Sequence, residues 1–272
     1  MVRLVVGLGI AVVLWVGACA WYYVRQESLI FFPSKLPAAH QFEFSRSFES
    51  HSIDVAPDIS LSALLFRSEL PEQSSRRVIL YLHGNAGDLQ SWGSHAELYL
   101  DQGYDFFVID YRGYGLSGGR VSSEAELHAD IQSVWNWLEA RYDPDSIVVV
   151  GYSLGSAVGA RVACANQARH LVLIAPFFSG RDIGRRVAPW LPSALIRYPF
   201  RTDQVLENCD VPVTLFHGAD DRTIPSGAST RLLDLLGERG ELVLLPGVGH
   251  SDVSGNGDFQ RRMTRLLNPE AR

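Results

Sequence analysis

The sequence predicts a doubly wound α/β sheet preceded by one membrane-spanning helix, and three observations carry that reading. Six short apolar runs alternate with amphipathic segments along the chain. The runs are nearly continuous stretches of Val, Ile, Leu and Phe, as expected of parallel strands buried on both faces. Ahead of them, after Arg3, Leu4 to Val24 form 21 residues without a charge.

At about 1.5 Å per residue the uncharged run is long enough to cross a hydrocarbon core of about 30 Å. Trp21, Tyr22, Tyr23 and Arg25 then form an aromatic belt with a snorkelling cation, which suits a segment retained in the bilayer. Two rival readings use the same residues. Ala18-Cys19-Ala20 has the form of a signal-peptidase site, and Val16-Gly17-Ala18-Cys19 loosely resembles a lipoprotein box. Charge does not settle the sidedness, since Arg3 precedes the span while Arg25 and Lys35 follow it. The expected organisation is an anchor over residues 1–26, a linker over 27–39 and one catalytic-size domain over 40–272. Because the leader precedes the first plausible strand, it is expected to add nothing to the domain core. Removal of residues 1–26 should then leave a soluble, folded domain.

Two alternating stretches open the domain, FEFSRSF and ISLSALLF, and suit antiparallel edge strands. The six parallel-type runs follow: VILYLH (78–83), DFFVIDY (105–111), SIVVVGY (146–152), HLVLIAP (170–176), VPVTLFHG (211–218) and ELVLLPG (241–247). Between the second and third lies SSEAELHADIQSVWNWLEARY, a helix that opens on serine and acidic residues and stops before Asp143-Pro144. Residues 177–210 carry SGRDIGRRVAPWLPSALIRYPF, too short for a separate cap domain. Arg181, Arg185, Arg186, Trp190 and Leu191 fit a short amphipathic lid or, equally, a solvated helix on the sheet edge.

Composition narrows the function. A net charge of −6, with Lys35 as the only lysine, offers no basic field for a nucleic acid. Cys19, Cys164 and Cys209 lack CxxC spacing, which argues against both a zinc site and a disulfide framework.

Two stretches match the Gly-x-Ser-x-Gly pattern of serine hydrolases. The first, GYGLSGG at 113–119, also fits Gly-x-Gly-x-x-Gly, but Ser117 lies six residues past its strand and no helix begins on the last glycine. Neither a nucleophile nor a cofactor cradle is expected there. The second, GYSLGS, follows strand SIVVV directly and opens the small-residue helix LGSAVGARVACANQ. That is the strand-turn-helix setting in which a serine is exposed and activated, so Ser153 is the expected nucleophile.

A serine hydroxyl needs a base to take its proton, usually a histidine oriented by a carboxylate. Three histidines follow Ser153. His170 opens a strand and His217 lies within one, whereas His250 sits in the loop PGVGHSD after the last strand, at the edge where Ser153 emerges. The acid is expected in VTLFHGADDRTIP, where Asp220 and Asp221 are both candidates. Oxyanion donors are expected from the amide of Leu154 and from that of Asn85 or Ala86 in HGNAGD.

HGNAGD, DYRGYGLSGG, GYSLGS, HGADDRTIP and GVGHSD together resemble, in order, the α/β-hydrolase superfamily, and more narrowly a branch of small, N-terminally tethered serine hydrolases. The resemblance implies a mostly parallel eight-stranded sheet, no metal or organic cofactor, and hydrolysis of esters or thioesters. It also implies Asp221, four residues after the histidine of HGADD, as the acid. The expected substrate is a small-molecule or lipid-like acyl compound met at a membrane. A peptidase, an amidase, a carbon–carbon hydrolase or a non-catalytic membrane scaffold are the alternatives.

Overall fold

The computed structural model describes residues 2–70 and 76–268. Helix α1 (Val2–Ile30) is followed by β1 (Phe32–Pro33), β2 (Phe48–Ala56), β3 (Ile59–Phe66), β4 (Arg77–Leu82), β5 (Ala86–Gly87), α2 (Leu89–Trp92), α3 (Ala96–Leu100) and β6 (Tyr104–Ile109). Then come α4 (Glu124–Glu139), β7 (Ile147–Tyr152), α5 (Leu154–Ala165), β8 (His170–Ile174), α6 (Gly180–Val187), α7 (Thr202–Glu207), β9 (Val213–Gly218), α8 (Gly227–Leu236), β10 (Gly240–Leu245) and α9 (Gly257–Leu267).

Eight strands form the main sheet in the order β10-β9-β8-β7-β4-β6-β3-β2. The β2–β3 and β3–β6 pairs are antiparallel and the others parallel. Every residue of β6, β7 and β9 is buried, which explains why their sequences show no polar alternation. Helices α4, α5, α7 and α8 cover one face through Trp135, Val158, Leu206 and Leu232. Helices α3 and α9 cover the other through Tyr99, Phe259 and Met263. Helix α4 starts as its sequence suggests, with Ser123 accepting a hydrogen bond from the Glu126 amide.

Three expectations need correction. FEFSRSF is not an edge strand: only Phe48 enters β2, which continues through the more polar ESHSIDVA. Phe42 and Phe44 instead fold back onto Phe48, and Phe44 also meets Phe66 and fills the space over Gly93. Burial of these rings as a cluster outweighs the alternation of the stretch. Second, Cys164 at the end of α5 and Cys209 after α7 are joined by a disulfide, their Cα atoms 5.2 Å apart. The pair is 45 residues apart in sequence and is brought together by the packing of α5 on α7, so spacing alone gave no sign of it.

Third, the leader is part of the domain's packing. Helix α1 runs to Ile30, beyond residue 26, and its inner half lies against the segment after α6. Cys19 is buried with Ala188 and Leu191, and Tyr22 meets Trp190 edge-on. Gln26, 1 % exposed, donates to the Leu195 carbonyl at 2.8 Å and accepts from the Arg197 amide at 2.8 Å. Glu27 pairs with Arg197 and accepts from the Tyr198 hydroxyl, and Phe31 enters the main core. A polar side chain buried this fully is stable only because both ends of its amide are satisfied.

Candidate active site

The sheet brings three loops to one edge. Ser153 follows β7, Asp221 follows β9 and His250 follows β10, all at the carboxyl ends of parallel strands. Ser153 has φ 51° and ψ −110°, a left-handed backbone value uncommon for a residue with a side chain. The turn is enforced by its neighbours. A Cβ on Gly151 would stand 2.4 Å from the Gly155 carbonyl oxygen, and one on Gly155 would stand 1.9 Å from the Leu82 carbonyl oxygen. Only glycine fits either position, and the Ser153 amide is tied to the Ile174 carbonyl at 2.9 Å.

His250 Nε2 lies 3.1 Å from Ser153 Oγ, and its Nδ1 lies 2.6 Å from Asp221 Oδ2. The second oxygen of Asp221 accepts from the amides of Thr223 and Ile224, each at 2.8 Å. Burial by itself would raise the pKa of Asp221. The hydrogen bonds from His217, His250 and the Ile224 amide outweigh it and hold the carboxyl well below the ordinary carboxylate range. Asp220 is exposed and contributes its backbone amide to the Val248 carbonyl, which leaves Asp221 as the one that faces the imidazole.

Elbow and HGNAGD loop abut, since Gly155 packs directly on the Leu82 and His83 carbonyls. Leu154 is the first residue of α5, where amides have no intrahelical acceptor. Asn85 is held on three sides. Its carbonyl accepts from the Phe32 amide and the Tyr114 hydroxyl, each at 2.8 Å, and its side chain donates to the Ile30 carbonyl at 2.8 Å. The β1–β5 pair, Phe32 opposite Ala86, extends that contact. Neither this small sheet nor the capping of α1 by Asn85 is visible in the sequence, because two-residue strands leave no periodicity.

Ser117 is buried, donating to the Asp110 carbonyl at 2.7 Å and accepting from the Ser62 amide at 2.9 Å. Its loop wraps Asp110: a Cβ on Gly115, at φ 46°, would stand 1.9 Å from Asp110 Oδ2. Asp110 in turn accepts from the Leu89 amide and faces His83 Nε2 at 3.5 Å, both side chains fully buried. This buried pair was not singled out from the sequence, although HGNAGD and DYRGYG carry both members. His217 is a satisfied structural histidine, with Ser229 Oγ at 2.6 Å on Nδ1 and the Ile224 carbonyl at 2.8 Å on Nε2. His170 likewise meets Thr214 Oγ1, away from the three loops.

A mostly parallel eight-stranded sheet, with an elbow after β7 and an acid and a histidine on the next loops, defines a class of fold, and the chain belongs to the α/β-hydrolase family. The family model described as the alpha/beta hydrolase fold matches residues 77–208. The chain is 31% identical over 241 residues to an uncharacterized protein of Mycobacterium tuberculosis, covering 87% of this chain and 84% of that one. It is 28% identical over 263 residues to alpha/beta hydrolase domain-containing protein 17C of Homo sapiens, covering 93% and 73%. Among solved structures, an esterase from Pyrococcus furiosus superposes with a TM-score of 0.69 at 18% identity, over 88% of this chain and 97% of that one. Est1E from Butyrivibrio proteoclasticus, with ferulic acid bound, gives 0.65 at 18% identity, over 80% and 96%. The protein is thus a hydrolase by fold and family.

Proposed function

We propose that the chain is a membrane-anchored serine hydrolase that cleaves an acyl ester or thioester through an acyl-enzyme. The observation that carries the reading is the relay Ser153 Oγ, His250, Asp221, with contacts of 3.1 and 2.6 Å. Ser153 Oγ attacks the acyl carbonyl carbon while its proton passes to His250 Nε2. Asp221 fixes the imidazole with Nδ1 as donor and stabilises the imidazolium that forms. The amides of Leu154 and of Asn85 or Ala86 receive the negative oxygen of the tetrahedral intermediate. Collapse breaks the bond to the alcohol or thiol, which leaves with the proton from His250. Water, deprotonated by the same histidine, then attacks the acyl-enzyme and releases the acid.

The anchor is α1, whose residues 2–14 are wholly exposed and apolar apart from Arg3. The Cys164–Cys209 disulfide favours an oxidising compartment, so we place the domain on the extracytoplasmic side of the bilayer. The test is hydrolysis by detergent-solubilised full-length protein of p-nitrophenyl esters and acyl thioesters of graded chain length. Turnover that depends on Ser153 and varies with acyl length is expected. Absence of turnover on the whole panel, with the protein folded, would remove the esterase reading.

A further inference from the structure

The apolar length of α1 between Arg3 and the first hydrogen bond it makes to the domain is too short to cross a bilayer. Its first hydrogen bond to the domain is at Trp15, whose indole Nε1 donates to the Trp190 carbonyl at 3.1 Å. Between Arg3, the charge that bounds the apolar run, and Trp15, residues 4–14 span only about 17 Å at 1.5 Å per residue, against a hydrocarbon core of about 30 Å. Tilt would increase the deficit. The missing length lies in residues 15–24, the stretch that packs on the segment after α6 through Cys19 and Tyr22.

We propose that this lid, from α6 to Leu195, is itself seated in the bilayer interface beside α1, so that its apolar tip is a lipid-binding surface. Resting on the reading of α1 as a retained anchor, it follows because a helix spanning with residues 15–24 in the hydrocarbon carries whatever is packed on them to the same depth. The surface has the chemistry of that environment. Val187 and Trp190 are 63% and 44% exposed, and Trp190 packs on Tyr22 of α1, whose chain neighbours Trp21 and Tyr23 are also exposed. Arg181 and Arg185, one turn apart on α6, and Arg25 at the base of α1 are exposed and form no ion pair among the described residues. The acidic residue of α6, Asp182, is engaged by Arg231. Free guanidinium groups flanking an apolar tip suit anionic headgroups above and acyl chains below. An acyl substrate would then reach the site from the membrane rather than from water.

The test uses full-length protein reconstituted in vesicles of phosphatidylcholine and phosphatidylglycerol. In a Cys19→Ala background, Val187→Cys carries an environment-sensitive fluorophore, and Asp54→Cys on the exposed face of β2 carries it as the control. We expect a blue-shifted emission quenched by nitroxide lipids at position 187 only. A label at 187 that stays aqueous while the protein sediments with vesicles overturns the lid's immersion and leaves the anchor standing. Protein that fails to associate, or whose intact mass lacks the leader, overturns the anchor reading and this inference with it. In parallel, Val187→Asp should reduce hydrolysis of a vesicle-embedded long-chain ester about fivefold or more, with kcat on a soluble short-chain ester changed less than about twofold. Equal effects on the two substrates would contradict a lipid-facing role, and Ser153→Ala separately reports whether the hydrolase reading holds.

Discussion

Two adjacent aspartates with opposite fates show how sharply the site is specified at the level of single residues. Asp221 spends all its acceptor capacity on His250, His217 and two amides, whereas Asp220 faces solvent. Asp221→Asn should lower kcat by about 10² to 10⁴, since an amide favours the wrong imidazole tautomer. Asp220→Asn should cost less than about tenfold. Steady-state kinetics on folded variants decides between them, and the reverse order would move the acid to Asp220. The depressed pKa of Asp221 also has a stability consequence with a definite sign. Its contribution is full above the unfolded carboxylate value of about 3.9 and is lost as pH falls from there toward the lower folded value. The difference in Tm between wild type and Asp221→Asn should therefore persist at pH 6 and shrink below about pH 4; a difference that grows on acidification would contradict it.

Among the elements, the strand-turn-helix elbow at Ser153 depends on two glycines that have no room for a methyl group. Gly155→Ala would drive Cβ into the Leu82 carbonyl, a backbone atom that cannot rotate away, so a loss near the upper end of the usual 1–3 kcal/mol for overpacking is expected. Denaturant unfolding checks this, and a neutral variant would mean that the elbow is looser than described. The elbow was legible in the sequence because a buried strand and a helix flank Ser153 with no intervening loop. The same logic dismissed Ser117, which the structure buries as a brace for Asp110. What sequence missed are contacts that carry no local pattern. Phe42 and Phe44 alternate like strand residues yet pack as a cluster, Cys164 and Cys209 meet only through the docking of α5 on α7, and Gln26 is polar yet buried because Leu195 and Arg197 supply both of its partners. Each is a tertiary event that overrides a local signal.

At the scale of the whole molecule, the leader, the segment after α6 and the HGNAGD loop form one connected unit. Helix α1 clasps the stretch Leu195 to Tyr198 through Gln26 and Glu27, and its last carbonyl is capped by Asn85 in the loop beside the elbow. The disulfide closes a separate loop on the far side of α5, and Cys209→Ser should cost about 2–4 kcal/mol of stability. In a Cys19→Ala background, maleimide-polymer labelling with and without reductant in intact cells checks both the bond and the side of the membrane: modification only after reduction is expected, and free thiols without it would contradict the pairing. The central claim is that Ser153, and not Ser117, is the activated hydroxyl of a relay with His250 and Asp221. Fluorophosphonate labelling of the detergent-solubilised full-length protein, followed by peptide mapping, tests it most directly. One adduct on Ser153, abolished by Ser153→Ala and retained in Ser117→Ala, is the predicted result; an adduct that survives Ser153→Ala and vanishes with Ser117→Ala would contradict it.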